Sequence, residues 1–258
     1  MPHATPYAEA LAPVTACMLE EASIKVGQRV LDVGSGGGDM ALLAAELVGA
    51  SGYVLASDVS LAKLADLAAR VSSMAPPLSI AVHESPAEEL ALEPGSFDVA
   101  LARNCVMYFR DLDRALGNIH RTLGKGGRLV VSVYGLLEHE PFHAIPVAAV
   151  TSRHSPPEPA PDYVQAFRVG AADVRTALMK AGFTGVRMQV VSVCRSYPDL
   201  TSALETMRMS PSLGELMSAL GEIDRAGVWA EIARGFGRYV GPDGVRIPGE
   251  QVVIVGIA

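Results

Sequence analysis

Cysteine is scarce in this chain: Cys17, Cys105 and Cys194 are the only three in 258 residues, and they lie far apart. That spacing argues against a disulfide framework and a cysteine-rich zinc site, and it suits a reducing compartment. Each thiol then reads as a small buried apolar residue. Long apolar runs are also missing. Half of the residues are apolar, enough for a sizeable core, yet no uninterrupted stretch nears the ~20 residues that span a bilayer. Residues 1–11 lack the basic segment and apolar stretch of a signal peptide, so a cytoplasmic location is expected. Basic clusters are absent as well. With 21 Lys and Arg against 28 Asp and Glu, the formal charge is −7, and no polyanion-binding face is visible. Nucleic acid and membrane are therefore not the expected partners, and oligomeric state is unreadable.

What is present is an alternation. The length fits one large α/β domain. Arg29-Val30-Leu31-Asp32-Val33 is a short apolar run ending in glycines, as a buried parallel strand would be. Helical spacing over 40–48 follows, then a strand over 53–58, a helix over 61–73 and a weaker strand over 78–83. A fourth strand covers 97–102, an amphipathic helix 112–123, and a fifth strand 128–134 after a turn at Gly124-Lys125-Gly126-Gly127. Repeated βαβ units make a parallel sheet whose crossover helices shield both faces. From 135 to 167 the rhythm breaks, with Pro141, Pro146, Pro156, Pro157, Pro159 and Pro161 crowding a segment read as a loop. A helix over 171–181, a strand over 186–194, a helical block over 200–237 and a strand over 251–257 complete the chain.

The stretch Asp32-Val33-Gly34-Ser35-Gly36-Gly37-Gly38 joins a strand to a helix. Such a turn lets the backbone approach a ligand and exposes helix N-terminal N–H groups. A dinucleotide site wants G-x-G-x-x-G/A. Gly34 and Gly36 fit that pattern, but Asp39 takes the last position, and its charge would repel a pyrophosphate. A cofactor without phosphate avoids the conflict.

Taken with its surroundings, the turn resembles the first motif of the class I S-adenosylmethionine methyltransferases, of the UbiE-like type acting on small molecules. Asp32, Gly34, Gly36 and Gly38 match its acidic residue and G-x-G-x-G, with Gly37 between them. Asp58, ending the second strand within Leu55-Ala56-Ser57-Asp58-Val59-Ser60, matches the second motif, whose carboxylate accepts from both ribose hydroxyls. Capping the helix near Leu61 is a role that can coexist with this one. Ser85-Pro86-Ala87-Glu88 resembles the loop that packs on the adenine, usually Asp-Ala-Glu or Asn-Ala-Glu. Pro86 replaces the acidic or amide residue, leaving Ser85 or a backbone carbonyl to meet the adenine amino group. Arg121 to Val131 lies near the family's L-K-P-G-G form.

The resemblance implies a Rossmann-like α/β fold of seven mostly parallel strands, with a helical segment over 1–28 and a cofactor core over 29–134. A substrate cap over 135–170 and a part over 171–258, with a helical insertion about 199–240, complete one domain. It implies S-adenosylmethionine as cofactor, held by Asp32, Gly34, Gly36, Gly37, Asp58, Val59, Pro86, Ala87, Glu88 and Arg103, and a small-molecule methyl acceptor. Arg103 either pairs with the cofactor carboxylate or sits at the sheet edge. Tyr108 either faces the substrate or fills core. Two alternatives keep the site: a cofactor held structurally while the pocket catalyses a cyclisation or rearrangement, and a non-catalytic binding subunit.

His139-Glu140-Pro141-Phe142-His143 satisfies H-E-x-x-H, which on a continuous helix presents two imidazoles to one zinc ion. Pro141 is most comfortable in a first helical turn. His139 then precedes the helix and the pair need not converge, so no metal is expected. Within the cap, His139 is a candidate pocket residue and His143 a candidate general base, its ordinary pKa being suited to that work. A plain half-buried histidine is the alternative. Met207, Met209, Met217 and Trp229 form either an apolar wall or core.

Overall fold

A computed structural model describes residues 6–75, 78–155 and 161–258. Residues 1–5 of the segment tested for a signal peptide, and the prolines at 156, 157 and 159, lie outside the described residues. In chain order the elements are α1 (Pro6–Ala22), β1 (Arg29–Val33), α2 (Asp39–Val48), β2 (Tyr53–Asp58), α3 (Leu61–Ser72), β3 (Ile80–Glu84) and β4 (Phe97–Arg103). They continue with α4 (Leu112–Thr122), β5 (Leu123–Tyr134), α5 (Pro141–Thr151), α6 (Asp162–Gln165), α7 (Ala171–Lys180) and β6 (Thr184–Tyr197). Last come α8 (Leu200–Arg208), α9 (Pro211–Leu216), α10 (Glu222–Phe236), β7 (Val240–Gly241) and β8 (Gly244–Ile257). The sheet order is β3-β2-β1-β4-β5-β8-β6, with the short β7 paired to β8. The first five strands run parallel. The α/β architecture with a mostly parallel sheet is the one expected. The eighth strand is the addition, a two-residue antiparallel ladder closing a hairpin onto β8.

The chain forms two compact units. A core unit takes residues 14–133, 170–189 and 252–258, and a helical unit takes 1–13, 134–169 and 190–251.

In the core unit, β1, β2 and β4 are buried along nearly their whole length, as strands covered on both faces are. Asp111 caps α4 by accepting the Arg114 N–H at 2.9 Å, and the helix buries Ala115, Leu116 and Ile119. Gly124 to Gly127 is not a turn ahead of β5 but its irregular beginning. Leu123 pairs with Phe97 and Arg128 with Val99, so β5 loops out residues that β4 does not match. The reason lies in the partners this stretch finds. Gly126 N–H donates to Ala258 O at 2.8 Å and Ala258 N–H to Gly127 O at 2.9 Å, which brings the end of β8 to the start of β5, antiparallel.

In the helical unit, α5 and α6 replace much of the loop expected over 135–167, residues 156–160 of which lie outside the described residues. Pro141 opens α5 at its first position, where a missing N–H costs nothing, and Pro146 lies inside the helix. An interior proline leaves the carbonyl four residues back without its helical donor. That carbonyl belongs to Phe142, and the Tyr163 hydroxyl donates to it at 2.9 Å. The helix therefore survives its proline through a partner 21 residues away. Tyr163→Phe is expected to lower unfolding stability by about 1–3 kcal/mol, the cost of an unmet buried acceptor. A denaturant titration in which the midpoint stays put would contradict this role.

Around α5 packs an apolar cluster that includes Val150, Tyr163, Met207, Leu213, Met217, Val228 and Phe236, with Trp229 against it. Met207 and Met217 are thus core, whereas Met209 is 82% exposed and builds no wall. The cysteines are half-buried free thiols, rather than fully buried ones. Among the described residues no helix is long and apolar enough to cross a membrane.

Candidate functional site

The strand order reverses between β1 and β4, because β2 and β3 extend the sheet one way and β5 the other. In open α/β sheets, ligands bind outside the carboxyl ends of the strands at such a point. The turn after β1 and the residues after β4 both emerge there.

Gly34 has φ +65°, and a Cβ on it would come within 2.5 Å of the Cys105 Cβ. Only glycine lets the two connections pass so closely. Gly36, also left-handed at φ +54°, differs: a Cβ there would meet nothing within 4 Å, so its backbone faces open space. Its N–H donates to Asp58 Oδ2 at 2.8 Å. Asp58 Oδ1 accepts the Ser60 N–H at 2.9 Å. An ionised carboxylate has about four acceptor sites, so Asp58 both shapes the turn and keeps capacity for two more donors. Gly37 contributes its carbonyl to Arg70 Nη1 at 2.6 Å. Val59, beside Asp58, is an apolar side chain left 67% exposed.

Asp32 is buried to 1% exposure in β1. Burial pushes its carboxyl up to about 7, with Asp58 and Asp39 adding to the rise and Arg103 and the Ala41 N–H opposing it. Three buried polar side-chain atoms at this point have no hydrogen-bond partner: Asp32 Oδ2, Ser35 Oγ and Asn104 Nδ2. Most buried polar atoms are paired in a folded protein. Three without partners at one strand crossover mark a place built for a ligand.

Arg103 Nη1 donates to Thr15 Oγ1 at 2.7 Å, and Nη2 lies 3.8 Å from Asp39 Oδ2. It ties α1 to the start of α2 beside Asp32. Pro86 is half-buried and Ala87 buried. Glu88 is drawn into structure, its Oε1 accepting the N–H groups of Arg110 at 2.6 Å and Asp111 at 3.2 Å. The Ser85 hydroxyl donates to the Pro86 carbonyl at 3.0 Å. Tyr108, 42% exposed, ends the turn after β4.

Sequence reasoning missed Asn104 and Ser35. Ser35 lies inside the glycine motif, at a position where the motif pattern accepts any residue. Asn104 has φ +51°, one of two non-glycine residues with positive φ among those described. Its type was the available signal, since asparagine tolerates this conformation better than most residues.

His139 and His143 belong to the helical unit. His139 ends a short 3₁₀ turn, its Nδ1 2.8 Å from Glu250 Oε2. His143 lies within α5, buried, among the rings of Tyr134, Phe142, Tyr163 and Phe167. Burial lowers its pKa, with Arg195 adding to the fall and Glu140 opposing it. Glu140 is itself fully buried: Oε1 accepts the Glu250 N–H at 2.8 Å, and Oε2 lies 3.2 Å from Arg195 Nη1 and 3.4 Å from His143 Nδ1. The H-E-x-x-H glutamate is thus half of a buried ion pair. Among the described residues no three metal-ligating side chains converge.

Residues 31–131 match a family model described as a methyltransferase domain. Over 119 residues the chain is 31% identical to the ubiquinone/menaquinone biosynthesis C-methyltransferase UbiE of Methylococcus capsulatus, covering 46% of this chain and 48% of that protein. The chain therefore spans about half the length of the curated relatives it matches. Two solved structures share the fold. YcgJ from Bacillus subtilis gives a TM-score of 0.63 at 15% identity, over 94% of this chain and 97% of that one. The [4+2]-cyclase SpnF gives 0.57 at 21% identity, over 94% and 80%.

Proposed function

We propose, for a chain whose residues 31–131 match a methyltransferase-domain family model, that it binds S-adenosylmethionine at the β1–β4 crossover and transfers the methyl group to a small organic molecule. The observation that carries the binding reading is the set of unpartnered polar atoms at the crossover, together with Asp58 and the open face of Gly36. These residues fit the cofactor's chemistry. Asp58 would take the ribose hydroxyls on its remaining lone pairs, Val59 and Pro86 would line the adenine, and Asp32 would face the cationic end. When bound, the cofactor supplies a methyl group already activated on a sulfonium.

The chain's own part is then alignment, which contributes on the order of 7–11 kcal/mol in favourable systems. Proton removal by His143 is not required by this reading. Similarity to UbiE, a C-methyltransferase by name, supports a small acceptor. Formation of S-adenosylhomocysteine with a panel of small carbon, oxygen and nitrogen nucleophiles tests the transfer. Acceptor turnover without that product would replace it with a cyclisation or rearrangement.

Asp32 provides a pH test. Its folded pKa lies above its unfolded one, so its stabilising share is complete below the unfolded value and disappears as pH rises through about 7. Asp32→Asn is expected to raise the urea midpoint at pH 8 and to change it little at pH 4. A cation beside Asp32 favours the ionised form. Cofactor affinity should therefore rise between pH 6 and 8 in the wild type, with proton release in calorimetry, and stay flat in the variant. An unchanged pH profile would rule Asp32 out as the cation's partner.

A further inference from the structure

We infer that the Asn104 side-chain amide donates to the carboxylate at the amino-acid end of the bound cofactor, with Ser132 setting its direction. This rests on the cofactor reading above and adds a residue to it.

The backbone holds Asn104 in the left-handed region at φ +51°. Its N–H is shared between Ser132 O at 3.0 Å and Ser132 Oγ at 3.2 Å. Because Ser132 Oγ accepts there, its own proton needs an acceptor, and Asn104 Oδ1 lies 3.0 Å away. That contact fixes which end of the amide faces Ser132. The amide nitrogen is thereby turned to the other side, where it is buried with no partner. Two polar hydrogens are held out of water and aimed by a neighbour's hydroxyl.

Position selects what they meet. Asn104 follows β4 and Asp58 ends β2, with β1 between. Two strand spacings amount to about 9.6 Å, a span suited to a ligand with ribose at one end and an amino acid at the other. At that second end the ammonium is a donor and the sulfonium forms no ordinary hydrogen bond, which leaves the carboxylate as the acceptor. Asp32 and Asp39 offer it only negative charge, and the Arg103 guanidinium leans away toward Thr15 Oγ1, with Asp39 at 3.8 Å. Ser35 Oγ is a second unmet donor here, but the Asn104 amide is the one whose direction a neighbour's contact fixes.

Isothermal titration calorimetry with S-adenosylmethionine and with its decarboxylated analogue separates this role from a structural one. Asn104→Gly keeps the left-handed backbone, so the variant should fold with a wild-type melting temperature. It is expected to lose about tenfold to a hundredfold in affinity for S-adenosylmethionine, as for one hydrogen bond to a charged group, and little for the analogue. Asn104→Asp should lose more for the first ligand and gain for the second. Ser132→Ala should show a smaller loss confined to S-adenosylmethionine, which Ser132→Thr restores. Equal losses for both ligands, or none, would overturn the assignment while leaving the cofactor reading intact. A wild-type protein that binds neither ligand would sink both.

Discussion

Asp58→Ala is expected to weaken S-adenosylmethionine binding by at least about tenfold, since a hydrogen bond to a charged group contributes about 1.5–3 kcal/mol and a ribose offers two hydroxyls. A second loss adds to the first. Asp58 Oδ2 also holds the Gly36 N–H, so the alanine variant loosens the turn whose backbone faces the ligand. Asp58→Asn separates the contributions. It keeps one acceptor oxygen and loses the charge, and its loss should fall between those of wild type and alanine. The measurement is titration calorimetry at pH 7.5. Wild-type affinity in the alanine variant would remove Asp58 from the site and the cofactor reading with it.

Glu140→Ala should be the most destabilising single change in the helical unit. Glu140 and Arg195 are 0% and 2% exposed, and removing one partner of a buried pair costs about 3–5 kcal/mol. The Arg195 guanidinium would lose its carboxylate and be left over the Phe142 ring, 4.5 Å away. The Glu250 N–H would lose its acceptor as well. Glu140→Gln combined with Arg195→Met should recover most of the loss, because buried pairs are often replaceable by packed neutral groups. Equilibrium denaturation of the three proteins decides it. A single variant within about 1 kcal/mol of wild type would mean the pair is not structural.

The core unit was legible because its signals are local. Arg29 to Val33 carries its apolar run, its acidic residue and its glycines within ten positions, and Asp58 ends the next strand in the same way. The parts that were not legible depend on distant partners. Pro146 argued against a helix, and the hydroxyl that rescues the helix comes from Tyr163. Glu140 read as a motif glutamate because Arg195, its partner, lies 55 residues on. Glu88 matched the adenine loop by sequence, yet the chain entering α4 claims its carboxylate. Asn104 offers only its residue type: its backbone angle and unmatched amide exist only once β4 and β5 are side by side.

Cys105 and Gly34 share one small volume, and this couples two stretches of chain that evolution would otherwise vary separately. A residue larger than cysteine at 105 would press on Gly34, shift the turn and disturb the N–H that Asp58 holds. The segment after β4 is therefore free to vary in size only beyond its first positions. Variants that keep this turn should hold glycine at 34 and a side chain no larger than cysteine at 105.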